Sequence, residues 1–325
     1  MRRMAKLAVA AVALALAAAG CGQTAGGSQQ QFTGLRIMVP NTPGGGYDVT
    51  ARTAGRAMEE AKLARNVEVF NLPGAGGTVG LQRVVNEKGN GKLLMQMGLG
   101  VVGSVYTNKS KATLADTTPI ARLIQEPDIV VVPKDSKYKT LDDLVTAWKA
   151  NPGKLSVGGG SSPGGPDHLA PMMMANALGI APKTVNYVPY DGGGDLLAAL
   201  LGNQLAFGVS GLGEYADQIS SGQLRVLAVT SGERVSGVDA PTLKESGVDV
   251  EFNNWRGIVA PPGLKSADKK KLVDLVAELR GSKEWKAALK KNGWTDAYLP
   301  GDKFGTFMNS ENKRVGDVLS SLGLA

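Results

Sequence analysis

The fold is decided by two related stretches, Asn41-Thr42-Pro43-Gly44-Gly45-Gly46 and Asn71-Leu72-Pro73-Gly74-Ala75-Gly76. Both have the pattern N-x-P-G-small-G. Each follows an apolar run that predicts a β-strand, Leu35–Val39 before the first and Val67–Phe70 before the second. The second stretch repeats the first after one strand–loop–helix unit. The repeat therefore predicts an α/β fold with largely parallel strands.

The same alternation of apolar runs and amphipathic segments continues along the chain. Further strands are predicted at Leu93–Met97, Ile129–Val132, Val185–Val188, Leu205–Val209, Leu224–Val229 and Gly257–Ala260. Thr140-Leu141-Asp142-Asp143 has the spacing of a capping box and predicts the start of a helix. From Ser266 onward the pattern predicts three helices, separated near Gly281 and at Pro300-Gly301, that contribute packing rather than chemistry.

The glycine content points to a binding site. The chain of 325 residues is long enough for two domains and contains 44 glycines, well above the usual share. Many lie in the two opening loops and in two later ones, 158–165 and 189–194. Ligands of parallel sheets bind at the carboxyl ends of the strands, where helix N-termini favour anions. Tight turns alone would also use glycine, but the matched pair of loops favours a cradle for a small carboxylate.

The N-terminus predicts export. Residues 1–20 combine Arg2, Arg3 and Lys6 with a short apolar run, as in a signal peptide. Cys21 follows at the position of a lipidated cysteine, and residues 21–32 form a polar linker. The alternative is ordinary cleavage of the signal peptide, which would leave the Cys21 thiol unmodified and without a role. No later stretch is apolar enough to span a membrane.

The sequence argues against other classes of function. Gly98-Leu99-Gly100-Val101-Val102-Gly103 resembles a dinucleotide loop, but poor helix formers follow it. Gly160-Ser161-Ser162-Pro163-Gly164 resembles a hydrolase elbow, yet proline after the serine lacks the N–H of an oxyanion hole. One histidine and one cysteine provide no soft-metal site. Late lysine clusters are interpreted as solvated helix faces or weak contacts with anionic lipid, not a nucleic-acid site. We expect no enzyme activity, cofactor or metal.

Several motifs together resemble the tripartite tricarboxylate transporter substrate-binding family, also called Bug or TctC proteins. They are the two opening loops with Asp48 and Arg52, then His168-Leu169-Ala170, Val188-Pro189-Tyr190, Leu227-Ala228-Val229-Thr230-Ser231 and Trp255-x-Gly257-x-x-Ala260-Pro261. The resemblance implies a type II periplasmic-binding-protein fold, with two α/β domains around a ligand cleft and two crossover strands. The domains would be residues 33–131 with 255–325, and residues 132–254.

The resemblance also implies a function and a site. A monomeric, lipid-anchored receptor outside the cytoplasm would capture a small carboxylate and deliver it to membrane permease subunits. Signalling to a membrane sensor kinase is the alternative. The implied ligand-binding residues are Pro43, Gly44, Gly45, Gly46, Tyr47, Asp48, Gly74, Ala75, Gly76, Gly77, Thr78, Gly98, Leu99, Ser161, Ser162, His168, Tyr190, Asp191 and Gly192.

Three departures from the family pattern bear on the ligand. Tyr47 is larger than the usual residue and would stack on the ligand or screen it. Leu99, Val101 and Val102 replace a polar loop and predict a more apolar far end of the site. Asp191 and Asp195 add negative charge, which would disfavour a tricarboxylate or hold an ammonium group.

Overall fold

The computed structural model describes residues 31–321, 323 and 324. The predicted signal peptide, Cys21 and the linker as far as residue 30 lie outside the described residues. Within the described part, no helix combines the length and the apolar character needed to cross a membrane.

The described chain alternates strands and helices. The strands are β1 (Phe32–Thr33), β2 (Arg36–Val39), β3 (Ala64–Arg65), β4 (Glu68–Asn71), β5 (Leu93–Gly98), β6 (Thr118–Pro133), β7 (Ser156–Gly159), β8 (Asn186–Pro189), β9 (Phe207–Gly211), β10 (Leu224–Val229), β11 (Asn253–Ala260) and β12 (Thr295–Pro300). The helices are α1 (Gly46–Glu60), α2 (Thr78–Asn86), α3 (Leu99–Thr107), α4 (Leu141–Ala150), α5 (Pro166–Ala177), α6 (Gly193–Leu201), α7 (Ala216–Ser220), α8 (Ser266–Gly281), α9 (Lys283–Asn292) and α10 (Gly301–Ser321).

One ten-stranded sheet runs through the molecule in the order β4-β2-β5-β11-β6-β9-β7-β8, with β10 and β12 also paired to β6. Strands β4, β2 and β5 are parallel to one another, and so are β8, β7 and β9. We call the part built on β4, β2 and β5 the first lobe, and the part built on β9, β7 and β8 the second lobe. Each lobe therefore has its own set of parallel strands.

The chain crosses between the lobes twice. Strand β6 pairs with β11 up to Pro127 and with β9 from Asp128 onward. The chain passes back to the first lobe at the start of β11. There the Phe252 N–H donates to Thr230 O (2.8 Å), and Asn253 pairs with Pro127. This arrangement confirms the two-lobed α/β fold with two crossover strands. The domain boundaries at 131/132 and 254/255 remain a prediction.

Apolar residues bury both faces of the sheet. On the first lobe, Ile37, Met58 and Trp285 belong to one fully buried cluster between the strands and helices α1, α8 and α9. On the second lobe, Trp148 packs edge-on against Phe207, with 5.2 Å between ring centroids. These cores hold the strands rigid, so the loops at their ends start from fixed positions.

The structure differs from the predicted elements in six places. Strand β6 begins at Thr118 rather than Ile129, because Pro119 and Pro127 interrupt its apolar pattern. Strands β1, β3, β7 and β12 were not predicted. Strands β1 and β3 have only two residues each, and glycines or turn-forming residues weaken the patterns of β7 and β12. The G-x-G-x-x-G stretch forms the first turns of α3, although we expected a poor helix start there. The capping box before α4 and the three C-terminal helices are confirmed.

Candidate functional site

A cavity of about 200 Å³ lies where the parallel strands of both lobes end. Loops after β2, β4 and β5 line it from the first lobe. Loops after β7, β8 and β9 line it from the second lobe, and β11 contributes residues from the crossover. Both parallel sets point their carboxyl ends at this cavity, which is where a ligand of an open α/β sheet binds.

The second glycine loop forms one wall of the cavity. Gly74, Ala75 and Gly76 line it, and Gly76 has φ +61°, a left-handed conformation that glycine adopts without strain. A Cβ at Gly76 would collide with the Ser104 side chain and come within 3.3 Å of Ser162 Cβ. The absence of a side chain at Gly76 therefore keeps this wall open.

Tyr47 closes the cavity from the side of α1. Its hydroxyl accepts a hydrogen bond from the Val101 N–H (3.4 Å). A Cβ at Gly100, in the first turn of α3, would lie 2.9 Å from that hydroxyl. Burial raises the pKa of Tyr47 to about 12, so the phenol stays neutral. Tyr47 thus presents an uncharged surface to the cavity, and its contact with a ligand stays a prediction.

The first glycine loop is braced from behind by Asp48. The Asp48 carboxylate accepts hydrogen bonds from the Gly44 N–H (3.0 Å), from Arg52 Nε (2.9 Å) and from Asn71 Nδ2 (2.9 Å). Asn71 Nδ2 also donates to Asn41 O at 3.0 Å. Asn71, the first residue of the second N-x-P-G stretch, therefore links the two loops. Asp48 points away from the cavity.

The carboxylate of Glu214 lies against the first glycine loop on the side that faces the cavity. Glu214 lies on the 3₁₀ turn Leu212–Tyr215, directly after β9, and lines the cavity. Its two carboxylate oxygens lie against Gly46 and Gly193, the first residues of α1 and α6, and the backbone amides of these glycines lower its pKa against the larger effect of burial. Glu214 therefore fills two helix N-termini, one in each lobe, that would otherwise attract an anion from solution.

Arg256 is the partner of these acids. Its side chain is only 3% exposed and forms an ion pair with Glu126, while its Nη2 lies 3.6 Å from Glu214 Oε1. Arg256 Nη1 also donates to Thr50 Oγ1 at 3.2 Å. Burial raises the pKa of Glu214 to about 7, against the attraction of Arg256. The guanidinium thus has carboxylate neighbours before any ligand arrives.

The glycine loop after β7 is braced by side chains of the second lobe. Ser161 Oγ accepts from the Asp167 N–H (3.1 Å), and the Tyr187 hydroxyl donates to Ser161 O (2.8 Å). His168 Nδ1 accepts from the Gly164 N–H (3.0 Å), and its ring packs edge-on against Tyr187. Burial lowers the pKa of His168 to about 4, so the imidazole is neutral. His168 holds the loop and does not line the cavity.

A second buried acid, Asp167, lies at the start of α5 and lines the cavity. Burial raises its pKa well above the usual range, and the charge of Asp128 adds to this effect. Burial likewise raises the pKa of Asp128. Burial therefore disfavours the charged form of both carboxyls.

Four lining residues carry buried polar atoms that have no hydrogen-bond partner among the described residues. They are Asn41 Oδ1, Ser104 Oγ, Asn254 Oδ1 and Arg256 Nε. Buried polar groups are normally paired, and an unpaired one costs about 1–3 kcal/mol. Their concentration around one cavity indicates a place for a polar ligand.

The structure brings about half of the predicted site residues to the cavity. Lining it are Gly46, Tyr47, Gly74, Ala75, Gly76, Ser161, Ser162 and Asp191. The others stand in or beside the same loops without lining it: Pro43, Gly44, Gly45, Asp48, Gly77, Thr78, Gly98, Leu99, His168, Tyr190 and Gly192. Their contact with a ligand stays a prediction.

Further lining residues were absent from the predicted set. They are Pro40, Asn41, Gly100, Ser104, Gly160, Pro166, Asp167, Glu214, Asn254 and Arg256. Two of the charged groups at the site leave a signal in the sequence. Arg256 and Glu126 are charged residues in strands that are mostly buried, and a charge in a buried strand needs a partner or a function.

The predicted apolar far end of the cavity is wrong. Leu99, Val101 and Val102 are fully buried in the core, because α3 turns these side chains away from the cavity. The same helix presents Gly100 and Ser104 instead. That end of the cavity is therefore polar. Of the two predicted acids, Asp191 lines the cavity and Asp195 does not.

Comparison with known proteins places these features in a family. Residues 50–324 match the sequence profile described as the tripartite tricarboxylate transporter family receptor. A protein of Cupriavidus necator, named for the gbd 5' region, is 30% identical over 90% of this chain and 88% of its own length.

Solved structures share the fold. The periplasmic binding protein BugD superposes with a TM-score of 0.81 at 25% identity, covering 89% of this chain and 97% of BugD. MatC from Rhodopseudomonas palustris, solved with bound malate, has a TM-score of 0.79 at 23% identity, covering 88% of this chain and 99% of MatC.

Proposed function

The chain belongs to the tripartite tricarboxylate transporter receptor family, whose members are substrate-binding receptors and not enzymes, and we propose that it captures a small carboxylate outside the cytoplasm. The observation that carries this proposal is the set of four unpaired buried polar atoms around one cavity at the strand ends. A related fold holds malate in MatC. Together, these findings support a small polar acid as the ligand.

The second glycine loop is the proposed seat of the ligand carboxylate. Gly74, Ala75 and Gly76 line the cavity there without side chains that would obstruct it. The unpaired Ser104 hydroxyl is on the same wall and can donate a hydrogen bond. Ser162 faces it from the second lobe. This wall offers close backbone approach and hydroxyl donors with no acidic side chain between them.

Binding is proposed to close the two lobes around the ligand. Hydrogen bonds already link the lobes at the cavity rim: the Thr42 hydroxyl donates to Asp191 O, and the Thr107 hydroxyl donates to Pro163 O (3.0 Å). Two crossover strands form a hinge of the kind that permits closure of a binding protein. Residues 33–131 with 255–325, and residues 132–254, would then move as the two domains.

We also propose that the closed receptor delivers its ligand to permease subunits of a tripartite tricarboxylate-type transporter. Export through the N-terminal signal and a lipid anchor on Cys21 would keep a monomeric receptor close to that transporter. Intact-mass analysis of the membrane fraction tests the anchor. A mature chain carrying lipid on Cys21 supports it, and an unmodified N-terminus contradicts it.

The binding proposal is tested by isothermal titration of the mature chain with mono-, di- and tricarboxylates. A matched pair of variants shows whether the cavity is the site. Gly100→Val places a side chain whose Cβ lies 2.9 Å from the Tyr47 hydroxyl, whereas Gly194→Val has open space around its Cβ. Both are second residues of helices. We expect Gly100→Val to abolish binding and Gly194→Val to retain it. Equal affinity in both variants would refute the cavity as the site.

A further inference from the structure

The outer side of α9 is strongly basic. Lys283, Lys286 and Lys290 are spaced by three and four residues, so they lie on one side of the helix, and all three are exposed. The opposite side packs into the first lobe, where Trp285 is buried and Leu289 packs against the same apolar cluster. Because the core fixes the helix in this orientation, the three lysines face solvent.

The basic surface continues into a groove of about 430 Å³ between α1 and α9. Arg52, Arg56 and Lys291 line this groove, and none of its lining residues lines the ligand cavity. The acids that line it are Asp48, Glu60 and Glu284. Asp48 is buried and already paired with Arg52, so few acids remain to balance the lysines and Arg56. We call this surface the basic face; its cations are Lys283, Lys286, Lys290 and Lys291 of α9 with Arg52 and Arg56 of α1.

Most cations of the basic face have no acid partner. Four of them make no ion pair or side-chain hydrogen bond within the part of the chain that the structure describes: Lys286, Lys290, Lys291 and Arg56. By contrast, Lys313 on α10 is equally exposed to solvent and lies 2.6 Å from Asp317. Like charges that lie close together repel one another, so an external anion would stabilise this surface.

The chemistry of the basic face fits an anionic bilayer. Clusters of four or more lysines and arginines attract anionic lipid headgroups, and a groove lined by guanidinium and ammonium groups admits a headgroup phosphate. A nucleic acid fits less well, because no exposed aromatic side chain stands between the lysines of α9 for bases to stack on. The lipid anchor proposed on Cys21 would also keep the chain at a bilayer.

We propose that the basic face rests on anionic lipid headgroups, so that the receptor contacts the membrane through α9 and the neighbouring side of α1. This inference rests on the proposed location outside the cytoplasm and adds a second membrane contact to the proposed anchor. The ligand cavity is lined by other residues and stays free in this arrangement.

The test measures cosedimentation with vesicles of the mature chain carrying Cys21→Ser, which cannot be lipidated. One set of vesicles contains phosphatidylcholine alone, and the other contains phosphatidylcholine and phosphatidylglycerol in equal parts. In about 0.1 M NaCl we expect binding to the anionic vesicles to be at least tenfold tighter, and in about 1 M NaCl we expect this preference to be lost through screening. Equal binding to both vesicles, or binding to neither, would overturn the proposal. Titration of the same chain with carboxylates measures the receptor function separately.

Two double variants with the same change in net charge show whether the basic face is the contact. Lys286→Glu with Lys290→Glu reverses charge on α9, whereas Lys154→Glu with Lys183→Glu reverses exposed charge on the second lobe. We expect the first pair to weaken binding to the anionic vesicles about 30-fold or more and the second pair by less than about threefold, because charges beyond about 10 Å are screened in 0.1 M salt. Carboxylate affinity should stay within about twofold of the parent in both pairs.

Equal losses in the two pairs would show that net charge, not the basic face, attracts the vesicles, and would contradict the proposal. Unchanged vesicle binding by the first pair would contradict it as well. Loss of uptake through the permease in that same pair would then assign the basic face to an acidic protein surface instead.

Discussion

The two N-x-P-G loops have nearly the same sequence but different roles at the cavity. In the first loop, the backbone is braced by Asp48, and the N-terminus of α1 is filled by Glu214. In the second loop, Gly74 to Gly76 line the cavity beside the unpaired hydroxyl of Ser104. A shared motif therefore specifies the same backbone turn twice. The side chains that arrive from elsewhere decide which of the turns a ligand can use.

This difference shows how a receptor family can change its ligand without changing its loops. Glu214 comes from the turn after β9 and Arg256 from the crossover strand β11, both far from the loops in sequence. A change at either position alters the charge at the first loop while the glycines remain in place. The predictions that follow test this division of roles, from the largest expected effect to the smallest.

Loss of Arg256 should have the largest effect on stability. Arg256→Met leaves Glu126 and Glu214 buried without their cation, which costs about 3–5 kcal/mol of unfolding free energy at pH 8. The loss should be smaller at pH 5, where protonation neutralises Glu214, whose pKa is about 7. Urea unfolding at both pH values measures this. The double variant Glu126→Gln with Arg256→Met should recover part of the loss, and a single-variant loss below about 1 kcal/mol would contradict the charge arrangement.

Side chains added to the two loops should affect binding unequally. Gly76→Val introduces a side chain against Ser104 and Ser162 and should weaken carboxylate binding by about 100-fold or more, a loss of about 2.7 kcal/mol. Gly45→Ala would place its Cβ 2.7 Å from Nδ2 of Asn41, a flexible side chain that lines the cavity, and so acts on the ligand only through that side chain. We expect a loss below about fivefold for Gly45→Ala. Titration of both variants with the same acid decides the comparison. Similar losses of affinity in the two variants would show that both loops have the same role in binding.

Glu214 should make stability depend on pH. Its pKa is raised from 4.5 to about 7 in the folded protein by burial, in spite of Arg256, while Glu126 adds to the rise. The folded state therefore binds more protons than the unfolded state between these values, and unfolding free energy falls as pH rises through this range, by an amount of order 2 kcal/mol.

The variant Glu214→Gln isolates this effect. Asp128, Asp167 and Asp191 also titrate near the cavity, so the measured quantity is the difference between parent and variant in unfolding free energy from pH 4.5 to 8. The decline should be steeper in the parent than in Glu214→Gln. Identical pH profiles would argue against a buried, titrating Glu214.

The brace behind the first loop should matter for stability and little for binding. Asp48→Ala removes the acceptor for the Gly44 N–H, Arg52 and Asn71, and should cost about 1–2 kcal/mol. Burial opposes its charge, yet these three hydrogen bonds hold the pKa of Asp48 below 3.8. Its contribution is therefore retained until pH falls below about 4. Carboxylate affinity should change by less than about threefold, and a loss above about 30-fold would place Asp48 at the ligand after all.

Local patterns predicted the fold and several of the loops that line the cavity. The strands before the loops, the capping box at Thr140 and the glycine loops themselves follow from short-range sequence, and the structure has them where expected. Asp48 and His168 stand in the predicted loops, but their polar atoms point to the backbone that they brace. The direction in which a side chain of the loop points depends on neighbouring elements, and the motif does not include them.

The charges of the cavity could not be predicted in the same way. Arg256, Glu126 and Glu214 meet only because β11, β6 and the turn after β9 are neighbours in the sheet. Each residue taken alone is one charged residue whose partner the local sequence does not show. Only the pairing of strands shows that these charged residues are partners of one another. It also shows that Asn41 and Asn254 remain as unpaired acceptors.

The central claim is that the ligand carboxylate binds at the second glycine loop, while the carboxylate of Glu214 remains at the first. A crystal structure of the mature chain with the tightest-binding acid of the titration panel tests it most directly. We predict the ligand carboxylate beside Gly76 and Ser104, with the Glu214 carboxylate still against Gly46 and Gly193. A ligand carboxylate on the Gly46 amide, with Glu214 displaced, would contradict the account.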